Sequence, residues 1–106
     1  MLPRDKEKLQ MKAYVFKAIG HPARLGILEL LRLGEMPVGL IASKLGADVG
    51  GVSKHLSLLR KQGIVADRKE GLKIFYKITL PNSFDLFGCV DSVVRKRLTD
   101  STDHGR

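Results

Sequence analysis

The spacing of apolar residues changes once along this chain. Up to Gly63 they recur with a helical period, and from there to Leu80 they alternate with polar residues. In the helical part, Asp5 to Ile19 carries two apolar stripes, Leu9, Ala13 and Phe16 on one side and Met11, Val15 and Ala18 on another. One stripe can face the domain's own core, and the other calls for a second surface. Gly20 ends this helix and His21-Pro22 opens the next, because proline is tolerated at the first helical position and disfavours helix at the residue before it. Pro22 to Leu33 is apolar on nearly every side, which predicts a central helix closed by Gly34.

Val38, Ile41, Ala42 and Leu45 then fall at i, i+3, i+4 and i+7, a short amphipathic helix that stops at Gly46. Asp48 is an N-cap for the next one, since its carboxylate can accept the orphan N–H groups of a first turn. Inside that next helix Val52, Leu56 and Leu59 define a buried face, while Gly50, Lys54, Ser57 and Lys61 fall on the opposite side. Gly63 follows as the closing glycine. Two short helices joined by a tight glycine-containing turn, the second with an exposed basic face, form a helix-turn-helix whose second helix suits the DNA major groove.

After Gly63, the runs Ile64 to Lys69 and Leu72 to Leu80 flank Glu70-Gly71 and predict a two-stranded β-hairpin. Arg68, Lys69 and Lys73 cluster at its tip. They suit either a wing that reaches phosphates beside the docked helix or a solvated edge kept basic against aggregation. Pro81-Asn82-Ser83 breaks the strand and caps a last helix from about Phe84 to Leu98, with Phe84, Phe87, Val90, Val94 and Leu98 in one stripe. Together with Leu9, Met11 and Val15 of the first helix, that stripe predicts a symmetric dimer packed through its end helices. The polar residues 99–106 are expected to be a disordered tail, leaving residues 1–98 as one DNA-binding and dimerisation domain.

The 106 residues carry 19 Lys plus Arg against 11 Asp plus Glu, a net charge of +8, which favours a polyanionic partner, nucleic acid first and an anionic membrane surface second. With no Trp, two Tyr and four Phe, the stacking platforms of single-strand binders are scarce, so double-stranded DNA is the better fit. No apolar run reaches the ~20 residues of a membrane span, and no signal-peptide core is present, which predicts a cytoplasmic protein. An enzyme is not expected, because no nucleophile–base pair, phosphate loop or Cys/His cluster is found. No cofactor and no metal are expected either. His21 fits a cap or a packed junction residue better than a metal ligand. Cys89, the single cysteine, suits either a small buried hydrophobe or a redox switch between two copies.

KAIGHPARLGILELL, the helix-turn-helix with VSKHLSLLRKQGIV, and DRKEGLKIFYKI resemble, in that order, the ArsR/SmtB family of bacterial winged-helix repressors. The resemblance covers about Ala13 to Leu80. It implies an α+β, mainly α, winged helix-turn-helix of about five helices plus a hairpin wing, acting as a homodimer on a palindromic operator and released by an inducer. It also implies that Ser53, Lys54, His55 and Ser57 lie in or beside the DNA-facing helix, and that Arg68 and Lys69 belong to the wing. His55 lies nearer the Leu58 and Leu59 side, a place that serves DNA contact or packing.

Two departures stand out. Val49-Gly50-Gly51 replaces the polar side chains usual there, so Gly50 and Gly51 offer the groove only backbone. Pro37 and Gly39 stand where metal-responsive members carry a Cys-x-Cys pair, and the last helix offers Asp85 and Asp91 but no His. The resemblance thus implies a repressor without that metal site, whose effector the residues do not identify. A winged-helix module for protein contacts, or a thiol-sensing repressor acting through Cys89, are the alternatives.

Overall fold

The computed structural model describes residues 2–80 and 85–103. Their order is α1 (Pro3–Ile19), α2 (Pro22–Leu31), β1 (Met36–Pro37), α3 (Val38–Leu45), α4 (Val49–Lys61), β2 (Val65–Glu70), β3 (Lys73–Ile78) and α5 (Leu86–Asp103). Local signals fix most of these boundaries. The Asp5 carboxylate accepts the Leu2 N–H at 3.2 Å and draws α1 back to Pro3. His21 is a cap: its Nδ1 accepts the Ala23 N–H at 3.1 Å as α2 begins. Gly46, at φ +64°, ends α3 in the left-handed region that side chains avoid.

The hairpin differs from its expected form in two ways. Glu70 pairs with Lys73, so the two-residue loop is Gly71-Leu72 rather than Glu70-Gly71. A tight hairpin of this kind wants its left-handed residue first in the loop, and Gly71 supplies it at φ +62°. The hairpin is also part of a three-stranded antiparallel sheet of order β1-β3-β2, because Met36 and Pro37 pair with Tyr76 and Phe75. Pro37 lies on the outer strand, where its missing N–H costs no ladder bond.

The core is where α2, α3 and α4 meet the start of the sheet. Ile27, Leu28, Ile41, Leu56, Leu59 and Ile64 are its fully buried side chains. The end helices join it only at their inner ends. In α1, Ala18 and Ile19 are buried and Val15 packs against the core, whereas Leu9, Met11 and Phe16 are 49%, 66% and 63% exposed. In α5, Leu86 and Phe87 pack against the core, and the Arg32 guanidinium sits 4.7 Å over the Phe87 ring while pairing with Asp85 at 3.6 Å. Val90, Val93 and Val94 beyond them are exposed. Val15 and Phe87, expected at a dimer face, also pack against the chain's own core and are only partly buried in the single chain.

Asp85 caps α5, accepting the Gly88 N–H at 2.9 Å. The expected cap at Pro81-Asn82-Ser83, and Phe84 as a dimer contact, lie outside the described residues. The helix also continues past Leu98 to Asp103, where a disordered tail was expected from Thr99. Extending an existing helix is far easier than nucleating one, and Thr, Ser and Asp each cost only about 0.7 kcal/mol or less relative to Ala. Residues 104–106 lie outside the description. The radius of gyration is 16.5 Å, against about 13 Å for a compact domain of this length, because α1 and α5 reach away from the core as two arms.

Candidate nucleic-acid interface

α4 is held from beneath by Val52, Leu56 and Leu59, all buried. Its opposite side presents Gly50, Lys54 and Lys61 exposed, with Ser53 and Ser57 half-buried. Among the described residues, neither Lys54 nor Lys61 forms an ion pair, so both ammonium groups stand in solvent on the side away from the core. The first turn is organised by Asp48, whose carboxylate accepts the Gly51 N–H at 2.9 Å. That bond orders the first turn of the helix and satisfies one of its orphan N–H groups.

The two glycines of this turn play different parts. A Cβ on Gly51 would sit 3.1 Å from the Asp48 Oδ1, tight against the group that caps the helix. A Cβ on Gly50 would meet only Asp48 Oδ2, at an ordinary 3.4 Å. Gly51 thus has a packing reason, and Gly50 has none within the chain. Replacing Gly50 by Ala should raise stability by about 0.5–1 kcal/mol in urea denaturation, the usual gain for alanine in a helix. The same change at Gly51 should give less, because the capping carboxylate must shift.

His55 packs rather than facing outward. Its ring centroid is 4.9 Å from that of His21, and its Nδ1 lies 3.4 Å from an Arg24 guanidinium nitrogen. Arg24 also donates to the carbonyls of Ala18 and Lys17, so one side chain ties the end of α1 to α4 through His55. Of the two roles left open for His55, the contacts in the single chain favour packing, with the ring half-buried, and Arg24, which sequence spacing does not single out, takes a structural role. Burial foremost, then the neighbouring His21 and Arg24, push the His55 pKa below its ordinary 6.5. The unfolded chain then binds this proton more readily than the folded one. The stability contributed by neutral His55 is complete above pH 6.5 and is lost as pH falls below it toward the lower folded value. Urea midpoints should therefore drop between about pH 7 and about pH 5, and drop less in His55→Gln.

The hairpin divides its cations unequally. Arg68 Nε donates to Glu35 at 2.7 Å, its NH1 to Glu70 at 2.7 Å, and its guanidinium lies 4.7 Å over the Phe75 ring. The hydrogen bond from Arg68 holds the Glu35 carboxyl below its ordinary range. Arg68, expected as a wing contact to DNA, also acts as a strut that fastens the hairpin to the segment before α3, with its side chain still half exposed. Lys69 and Lys73 remain exposed near the tip with no ion pair among the described residues. Arg60 of α4 reaches Asp67 of β2 at 3.6 Å, a partly exposed pair that links the hairpin to the helix.

A helix with a bare cationic face, set behind a tight turn and beside a braced basic hairpin, is the arrangement of a winged helix-turn-helix. Residues 21–67 match the family described as "Bacterial regulatory protein, arsR family". A further match is 37% identical over 92 residues, covering 86% of this chain and 81% of the other: the "Uncharacterized HTH-type transcriptional regulator Rv0081" of Mycobacterium tuberculosis. The chain belongs to the arsR family. It is also similar to the transcriptional repressor SdpR of Bacillus subtilis, at 38% identity over 64 residues, 60% of this chain and 71% of that one. Among solved structures, the homodimeric winged helix-turn-helix DNA-binding domain Mb0332 from Mycobacterium bovis superposes with a TM-score of 0.81 at 34% identity. That likeness covers 92% of this chain and 91% of that chain.

This arsR member is thus a DNA-binding transcription regulator with a winged helix-turn-helix. The family match runs from the His21 cap into β2 and leaves both arms and the hairpin tip outside it. Among the described residues, no three of His, Cys, Asp and Glu come together as a metal site would require, and no helix is long and apolar enough to cross a membrane. Cys89 is exposed on α5 in the single chain, not the buried hydrophobe that one sequence reading expected.

Proposed function

We propose that this protein is a homodimeric, sequence-specific repressor that sets the α4 helices of two copies into successive major grooves of a palindromic operator. The observation that carries it is the division of α4 into a locked apolar side and an open side with unpaired Lys54 and Lys61. The open apolar faces of α1 and α5 supply the dimer surface, with Leu9, Met11, Val90, Val94 and Leu98 as its contacts. Similarity to the homodimeric Mb0332 domain and to the repressor SdpR supports both parts. Ser53, Ser57, Lys54 and Lys61 contact DNA from the helix, Gly50 admits close backbone approach, and Lys69 and Lys73 reach phosphates from the wing.

The effector acts without a Cys-x-Cys metal site, since Pro37 pairs within the sheet and the exposed Gly39 carries no side chain. Selection of duplexes from a random pool, followed by titration of the winner, tests the whole reading. Neutralising 6–10 phosphates predicts a loss of roughly 10³–10⁵ in affinity between about 50 and about 200 mM salt. A flat salt response overturns groove docking, and failure to recover any duplex points instead to a module for acidic protein partners.

The exposure of Cys89 favours a second reading of the release step. On the helical wheel it borders Val93, at the margin of the α5 apolar face. Two copies joined through α5 could then oxidise their thiols to a disulfide across the dimer, with an added oxidant such as diamide taking the two electrons. Release from operator by diamide in the wild type and its loss in Cys89→Ser would establish this; an unchanged response in the variant eliminates it.

A further inference from the structure

The tip of the wing carries a side chain that neither the core nor the dimer arms account for. Leu72 is 101% exposed, the most exposed large apolar residue among the described residues. Of the other large apolar residues exposed by 60% or more among the described residues, Leu2, Met11, Phe16, Val93 and Leu98 lie on or beside the arms available to a second copy, and Leu33 lies just past α2. Leu72 sits at the far end of a hairpin whose strands of six residues span about 20 Å. A single exposed leucine is common on protein surfaces. This one has specific surroundings.

Three observations bear on what it meets. Gly71 takes the left-handed position of the loop, which leaves Leu72 at the apex between the two strands. Exposed Lys69 and Lys73 lie on either side of that apex without ion pairs among the described residues. Behind them, Arg68 is fastened to Glu35, Glu70 and Phe75, so the hairpin is braced at its middle and can deliver its tip as a stiff element. An apolar tip between two ammonium groups complements a groove with apolar sugar walls and phosphate rims. With α4 in the major groove, the groove beside the hairpin is the adjacent minor groove.

We infer that Leu72 is an apolar wedge that enters the minor groove of the operator, between phosphates held by Lys69 and Lys73, and partly unstacks one base step there. The inference rests on the DNA-binding reading above and adds a specificity-determining residue to it. A wedge reads deformability rather than base edges, so the preferred step is a flexible pyrimidine–purine step such as TA, one groove away from the α4 contacts. This gives the protein a source of selectivity that its glycine-rich helix start lacks.

The test uses the duplex selected by the wild-type protein, with 2-aminopurine placed in turn at the minor-groove steps flanking the helix contacts. Binding by the wild type should raise fluorescence at one flanking step in each half-site. Leu72→Ser should abolish that rise and weaken binding roughly ten-fold or more, from loss of leucine burial, while its salt slope stays unchanged because no charge is removed. Leu72→Met should retain the signal. If Leu72→Ser matches the wild type in fluorescence and affinity, the wedge is wrong and the DNA-binding reading stands. If the wild type selects no duplex, both fall together.

Discussion

Val94→Glu should convert the protein to a monomer at micromolar concentration and lower operator affinity by roughly 10²–10⁴-fold. Val94 lies among Val90, Val93 and Leu98 on the outer part of α5, 47% exposed and outside the chain's own core. A charge placed there leaves the single chain's packing untouched. In a two-fold dimer it enters the interface twice, and each carboxylate must lose water without a partner. The affinity loss follows because two half-sites joined in one particle bind with an effective concentration that a monomer lacks. Sedimentation velocity and far-ultraviolet circular dichroism check the two halves of the expectation: a halved mass with unchanged helix content. A variant that remains dimeric would place the interface elsewhere than on these arms.

How far the sequence reveals such features depends on the distance over which they are encoded. The limits of α3 and α4 are legible because Gly46, Asp48 and Gly63 act within one turn of the helices they bound. The hairpin is legible as a hairpin, but its loop is misplaced by one residue, since both Glu70-Gly71 and Gly71-Leu72 are two-residue turns containing the same glycine. Strand β1 leaves no periodic trace in two residues, and its partners Tyr76 and Phe75 lie far along the chain. The same distance hides the roles of two cations. Arg68 looks like part of a basic run until Glu35, 33 positions earlier, is brought against it, and Arg24 looks unremarkable until His55, 31 positions later, meets it.

That distinction separates charges that bind from charges that brace. Arg68 and Arg60 pair with carboxylates inside the fold, so removing either should loosen the hairpin before it changes any contact with phosphate. Lys54, Lys61, Lys69 and Lys73 are exposed and form no ion pair among the described residues, so in the proposed complex they are available to release counterions.

Among those four, Lys54 should show the largest effect. It lies at the centre of the open side of α4, opposite Leu56 and Val52, where a groove-docked helix comes closest to DNA. Lys54→Ala should reduce the slope of log affinity against log salt by about 2 per dimer, one phosphate contact from each copy. Lys54→Glu adds repulsion in both half-sites and should reduce affinity by more than about 100-fold at low salt, with the dimer intact. Glutamate is as good a helix former as lysine, and an exposed side chain with no partner takes no packing with it, so thermal midpoints should match the wild type. Fluorescence anisotropy with a selected duplex across a salt series separates the two variants from any loss of fold. Retained affinity in Lys54→Glu would mean that another face of the molecule, and not α4, meets the operator.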